Sequence, residues 1–163
     1  MNRLLLLAAA LAIGFVVSRA LGSRAAIPSS INRDSVAAAP GIAALHRADS
    51  IATIHGVATE LRDLWDSAAV RIAAGPPAIG RAAIYKEDSI YRANNANRNI
   101  VRYVARYPTL SVHGNTAVEW GGFEATNVMT SGVKSDTVNG EGTAMRVMTR
   151  QADGSWKFSL LVL

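Results

Sequence analysis

The order of hydrophobic and polar positions divides this chain into an apolar head, a patternless neck, a helical part and a strand-rich part. Leu4 to Val17 is a run of fourteen uncharged, mostly apolar residues. From Ser23 to Pro40 small residues, Pro28 and Pro40 leave no apolar period. From Gly41 the period is helical: Leu45, Ala48, Ile51, Ala52 and Ile54 predict the buried face of a first helix. Glu60 to Trp65 predicts a second helix, and Ala68 to Ala73 a short apolar segment that could be extended. Gly75-Pro76-Pro77 breaks the chain, and Arg81 to Ala93 predicts a third helix. After Asn99 the period changes. Ile100–Val112, Thr116–Met129, Glu141–Gln151 and Trp156–Leu163 are rich in β-branched and aromatic residues and predict strands. Gly114-Asn115 supplies a turn, and Gly121-Gly122 predicts a bulge or sharp bend inside its strand. Ser131-Gly132 and Asn139-Gly140 bracket a loose hairpin, and Asp153-Gly154 suits a two-residue type I′ turn. The expected fold is α+β: three N-terminal helices packed on a strongly curved antiparallel sheet of about four strands, a cone-shaped half-barrel.

Charge sharpens the reading of the head. The chain carries 17 Lys and Arg against 12 Asp and Glu, a net charge of +5. Three of the arginines, Arg3, Arg19 and Arg24, lie in the first 25 residues; without them 14 basic face 12 acidic residues, a net of +2. No basic run interleaved with aromatics remains, so nucleic acid is not an expected partner. As a helix, the run 4–17 would span roughly 21 Å against a hydrocarbon core of about 30 Å. With Arg3 before it and small residues at Ser18/Ala20 and Ser23/Ala25 after it, residues 1–25 read as a signal peptide, or as an uncleaved signal anchor. The protein is then exported, periplasmic or secreted, or held to the inner membrane by residues 4–17, its only expected membrane contact. Residues 26–40 read as a flexible linker and 41–163 as the folded domain. The chain has no cysteine, which excludes disulfides and thiol catalysis. His46, His55 and His113 form no metal-ligand spacing, and no P-loop, nucleophile elbow or dinucleotide glycine fingerprint occurs, so neither metal nor cofactor is expected.

Four segments, taken in order, carry a family resemblance: RADSIATIHGVATELRDLWDSAAVRI, GPPAIGRAAI, GNTAVEWGGF and RVMTRQADGSWKF. Here the chain resembles the SnoaL-like branch of the nuclear transport factor 2-like superfamily, which also holds ketosteroid isomerase, scytalone dehydratase and polyketide cyclases. The resemblance runs from about Leu45 to Leu163. It implies a small molecule bound in the cone between helices and sheet, and a homodimer formed through the sheet's outer face. It also exposes a departure. The aspartate that serves the isomerases as base falls at Ile72, which cannot accept a proton, and their hydroxyl donor on the first helix falls near Asp49.

Two carboxylates stand out as candidate chemistry. Asp49 sits among Ala48, Ile51 and Ala52, where desolvation would raise its pKa and suit proton transfer. Glu119 and Trp120 point to opposite faces of one strand, so only one of them faces the cone. Glu119 shares its face with the small Ala117; the alternative makes it a partner for Arg146 or Arg150. Trp65, Tyr85, Tyr103 and Trp156 are the candidate aromatic lining, with plain core as the alternative. Three functions compete on these grounds: a domain binding a small hydrophobic molecule, a cofactor-free acid/base enzyme of isomerase, cyclase or dehydratase type, and an assembly module that presents a sheet face.

Overall fold

The computed structural model describes residues 33–163. The expected signal segment 1–25, with its membrane run 4–17, and the linker's first part, 26–32, lie outside the described residues. The rest of the expected linker, 33–40, is helical, with Pro40 inside the helix. The elements are α1 (Arg33–His55), α2 (Ala58–Arg62), β1 (Trp65–Ile72), β2 (Ala78–Ile79), α3 (Arg81–Asn94), β3 (Arg98–His113), β4 (Thr116–Ser131), β5 (Lys134–Arg150) and β6 (Trp156–Val162). Among the described residues no helix is long and apolar enough to cross a membrane.

The fold is α+β, but its sheet has six strands, not about four, in the order β2-β1-β6-β5-β4-β3. It is mixed, not purely antiparallel, because β1 lies parallel to the C-terminal strand. The helices are not all N-terminal to the strands: β1 and β2 precede α3. The second helix stops at Arg62 and Trp65 already begins β1. Leu61, Leu64 and Trp65 also fit a helical face, and that ambiguity hides the start of the strand, whose later part falls in the apolar segment from Ala68 that could be extended.

On α1 the buried positions are Ala38, Ile42, Leu45, Asp49 and Ala52, spaced four and three apart like one helical stripe. Ile51 and Ile54, expected on that face, are exposed instead. The stripe lies on β3 and β6. It joins Trp65, Ala69, Ile84, Val112, Ala117, Met148, Trp156 and Phe158 in one apolar cluster.

Two irregularities shape the cone. On β3 the register moves from Arg106↔Gly122 to Thr109↔Trp120, so Tyr107 and Pro108 together oppose Gly121. The extra residue of this bulge is therefore on β3, an edge strand, where Pro108 costs no ladder hydrogen bond. A Cβ on Gly121 would stand 2.0 Å from the Arg106 carbonyl oxygen. Only glycine lets the two backbones come this close, which accounts for the glycine seen there in the sequence. The β5–β6 turn also differs from the expected two-residue form. Gln151 N–H bonds Ser155 O, and Gly154 N–H bonds Gln151 O with Gly154 at φ 83°. That is a three-residue loop closed by a left-handed glycine. Asp153 Oδ1 accepts from the Ser155 backbone N–H and from its hydroxyl. Finally, Asn139-Gly140 does not bound a loop: β4 and β5 pair without a break from Thr116↔Thr149 to Ser131↔Lys134.

Candidate functional site

One buried polar cluster sits inside the cone, and four elements build it. Alternation along β4 turns Ala117, Glu119 and Gly121 inward and leaves Trp120 more than half exposed outside. Glu119 is 1 % exposed. Its register partner on β5 is Arg146, also buried. α1 brings Asp49 on its buried stripe and His46 one turn earlier, beside it on the same side of the helix. On β3, Tyr103 and Tyr107 lie four residues apart and share one face by alternation, with Tyr107 at the bulge.

The guanidinium of Arg146 is the hub. Its Nη2 lies 3.0 Å from Asp49 Oδ2 and donates to the Tyr103 hydroxyl at 3.2 Å; its Nη1 is 3.9 Å from Glu119 Oε1. Its Cζ sits 4.4 Å over the Tyr107 ring and 4.9 Å over the Phe158 ring, both within cation–π range. His46 Nε2 lies 2.9 Å from both Glu119 oxygens and bonds Oε1. A carboxylate only accepts, so Nε2 carries the proton. The His46 ring stands 5.6 Å from that of Tyr107. Three buried atoms of this cluster have no hydrogen-bond partner: Asp49 Oδ2, Glu119 Oε2 and the Tyr107 hydroxyl. The short approaches of Arg146 to Oδ2 and of His46 to Oε2 are thus ion contacts lying off the hydrogen-bonding direction.

Burial pushes the Asp49 carboxyl above its usual value, and the Arg146 charge opposes this only in part. Burial likewise raises Tyr103, helped by the negative charge of Asp49. Burial raises Tyr107 well beyond the ordinary phenol range, so its hydroxyl keeps its proton. Burial alone would lower Arg146; Asp49, then the two tyrosines and Glu119, more than offset this and keep it cationic. The cluster can therefore offer a phenol that donates, a carboxyl biased toward its protonated form, and a buried carboxylate held by an imidazole.

Of the residues expected from sequence, Asp49, Glu119 and Tyr103 come together here. Trp65 does not reach the cluster: its ring packs 5.6 Å from Phe158, behind the ring that receives Arg146. Trp156 is buried in the apolar core against Gly41 of α1. Tyr85 is half-buried on α3, with Arg62 5.6 Å over its ring. Three cluster members were not among the expected site residues. His46 and Tyr107 carry no local signal, and Arg146 was considered only as a pairing partner. Ile72 closes the comparison with the isomerases. It lies on the outer side of β1 opposite Val162, and its inward neighbour Arg71 is bound by Asp88 and Glu87. Among the described residues no group of three or more His, Cys, Asp or Glu could hold a metal ion.

No protein-family model matches the sequence, and no curated protein does. Solved structures do match. One is a nuclear transport factor 2-like protein with a cystatin-like fold from Novosphingobium aromaticivorans: 18% identity over 78% of this chain and 80% of that one, with a TM-score of 0.60. A ketosteroid isomerase-like protein from Erwinia carotovora matches at 14% identity over 80% and 95%, with a TM-score of 0.61. A nuclear transport factor 2-like superfamily protein from Salmonella enterica serovar Typhimurium matches at 13% identity over 78% and 90%, with a TM-score of 0.59. At such identities the likeness is one of fold. This chain has the nuclear transport factor 2-like fold.

Proposed function

We propose that this chain is an exported, homodimeric domain that binds a small, mostly apolar molecule in its cone. One observation carries the reading: Asp49, Glu119, Tyr103 and Tyr107 gather about the Arg146 guanidinium beside an apolar cluster, with Asp49 Oδ2 and Glu119 Oε2 held by ion contacts and not by well-directed hydrogen bonds. A guest bearing a hydroxyl or carbonyl would take a hydrogen bond from the Tyr107 hydroxyl, and Asp49 would accept from a guest hydroxyl. Leu110, Leu161 and Phe158 supply apolar wall, with Trp65 stiffening Phe158 from behind. Such sites orient an apolar guest with a few polar groups.

The homodimer rests on the outer face of the sheet. Strand pairing aligns Val118, Val147, Leu160, Val70 and Ile79 in one row, and Trp120, Met145, Val162 and Ile72 in the next. Ile79 is 72 % and Trp120 54 % exposed. A contiguous apolar belt of this kind marks an interaction surface. Export rests on the sequence of residues 1–25.

A second reading, an acid/base enzyme on the same site, is favoured by the burial of Asp49, which pushes its carboxyl above its ordinary value. Native mass spectrometry of protein purified from its own host tests the binding reading and the oligomeric state together. The expected result is a dimer that releases a small organic molecule on denaturation. A dimer with an empty cone that also refuses Nile red would leave only an assembly module.

A further inference from the structure

Glu119 cannot itself serve a guest freely: it is all but sealed from solvent, and one of its oxygens is bonded by His46 Nε2. Its partner is differently placed. The His46 side chain is 32% exposed, while the edge carrying Nε2 is tied to a carboxylate with none of its side chain exposed. The proton on Nε2 leaves Nδ1 with the free lone pair in the neutral ring. A plain structural link between α1 and β4 needs no such asymmetry. Around the imidazole stand Glu119 on β4, Asp49 on α1, Arg146 on β5, and Tyr107 and Tyr103 on β3. The Tyr107 ring stands tilted 5.6 Å from the imidazole and carries a buried hydroxyl.

We propose that His46 and Glu119 form a base dyad, in which Glu119 fixes the imidazole through Nε2 and His46 Nδ1 takes a proton from the guest. This rests on the reading of the cone as a binding site, and it names the substrate class: a small apolar molecule with an acidic C–H, N–H or O–H. The proton moves to Nδ1 and the electron pair stays on the guest. The imidazolium so formed is neutralised by the Glu119 carboxylate, and the negative charge left on a guest oxygen meets the Tyr107 hydroxyl. The proton leaves to water by the exposed part of the ring. Glu119 is thus a positioning residue, and a carboxylate that water cannot reach acts through an imidazole that it can.

Two measurements on the full chain test this. Nitrogen-15 NMR of the neutral His46 ring should show hydrogen on Nε2 and none on Nδ1; the opposite tautomer would overturn the dyad. Nitrobenzisoxazole supplies the second readout. Loss of its one acidic C–H proton to a base breaks its N–O bond, giving a nitrile and a coloured phenolate, with no cofactor. We expect His46→Gln to slow this opening about 10²-fold and Glu119→Gln at least about tenfold. His55→Gln, at an exposed histidine paired with Glu60 on the helix surface, should leave it unchanged. Wild-type protein that takes up Nile red yet opens the probe no faster than its His46→Gln variant refutes the dyad and spares the binding reading. Wild-type protein that takes up no Nile red refutes both.

Discussion

Arg146→Met is the most informative single perturbation of this molecule. The side chains are similar in length, so the change removes charge more than volume. Arg146 is 6 % exposed and stands between Asp49 at 3.0 Å and Glu119 at 3.9 Å. Without it, two buried carboxyls face each other with His46 as the only nearby cation, and then only when that ring is protonated. Breaking a buried ion pair from one side costs about 3–5 kcal/mol. Against a total stability of about 5–15 kcal/mol this is a large fraction, and for a domain of this size it lowers the melting temperature by roughly 10–20 °C. The loss also has a pH signature. Asp49 in the folded protein holds its proton above its ordinary value of 3.8, so the native state binds that proton more tightly than the unfolded chain does. Stability then falls as pH rises from about 4 through the raised folded value. Arg146 is the main influence lowering that value, so its loss widens the window. Urea unfolding followed by circular dichroism at several pH values should show a small penalty for Arg146→Met below about pH 4, growing toward neutrality. A penalty under about 1 kcal/mol at pH 7, or one independent of pH, would refute the account of the cluster as charges buried around one guanidinium.

Three further outcomes are expected. Gly121→Ala should destabilise the domain by more than about 2 kcal/mol, because its Cβ would meet Arg106 O at 2.0 Å and Tyr107 Cα at 2.7 Å, both backbone atoms, while Gly122→Ala, 3.2 Å from Gly142 O, should cost clearly less in the same unfolding assay. Trp120→Glu should convert the protein to monomer in multi-angle light scattering with its melting temperature as a monomer unchanged; a wild type that is already monomeric at micromolar concentration would remove the belt as an interface. Expressed with its leader in a bacterium, the protein should fractionate with the periplasm or inner membrane, and amino-terminal sequencing of a cleaved form should begin at Leu21 or Ala26; full-length protein free in the cytosol would defeat both versions.

The parts of the fold that were legible are those where one short-range rule decides the outcome. Alternation puts Glu119 and Trp120 on opposite faces, and the structure turns Glu119 inward and Trp120 outward. Gly114-Asn115 turns the chain between His113 and Thr116, as expected of that pair. Gly121 announced an irregularity, but the sequence of one strand could not say that the extra residue belongs to the other. β1 was legible only in part, as the segment from Ala68 that could be extended, for a related reason. WDSAAVRI has no clean alternation, and what makes it a strand is its place beside β6, nearly a hundred residues later in the chain. A parallel partner that distant leaves no local trace.

The site shows the same division more sharply. Asp49 was legible because a carboxylate on an apolar stripe is anomalous by itself. Glu119 was legible as a candidate because alternation sets it opposite Trp120 and beside the small Ala117; that it also pairs with Arg146 joins its two readings. His46, Tyr107 and Arg146 are anomalous only in company. His46 is one surface-compatible residue on a helix until β4, 73 positions away, brings a buried carboxylate to it. Tyr107 shares the inward face of Tyr103 by alternation along β3, and it stands at a bulge that a glycine on the next strand permits. The substitution at Gly121 therefore tests more than packing. If the bulge is what aims Tyr107, a Gly121→Ala variant that still folds should lose the donor as well as stability, and its Nile red uptake should fall by as much as that of Tyr107→Phe. Uptake kept intact in the folded Gly121→Ala protein would mean that the bulge does not set the position of Tyr107, and that the cone's polar centre tolerates a change in the one place where the two strands leave no room.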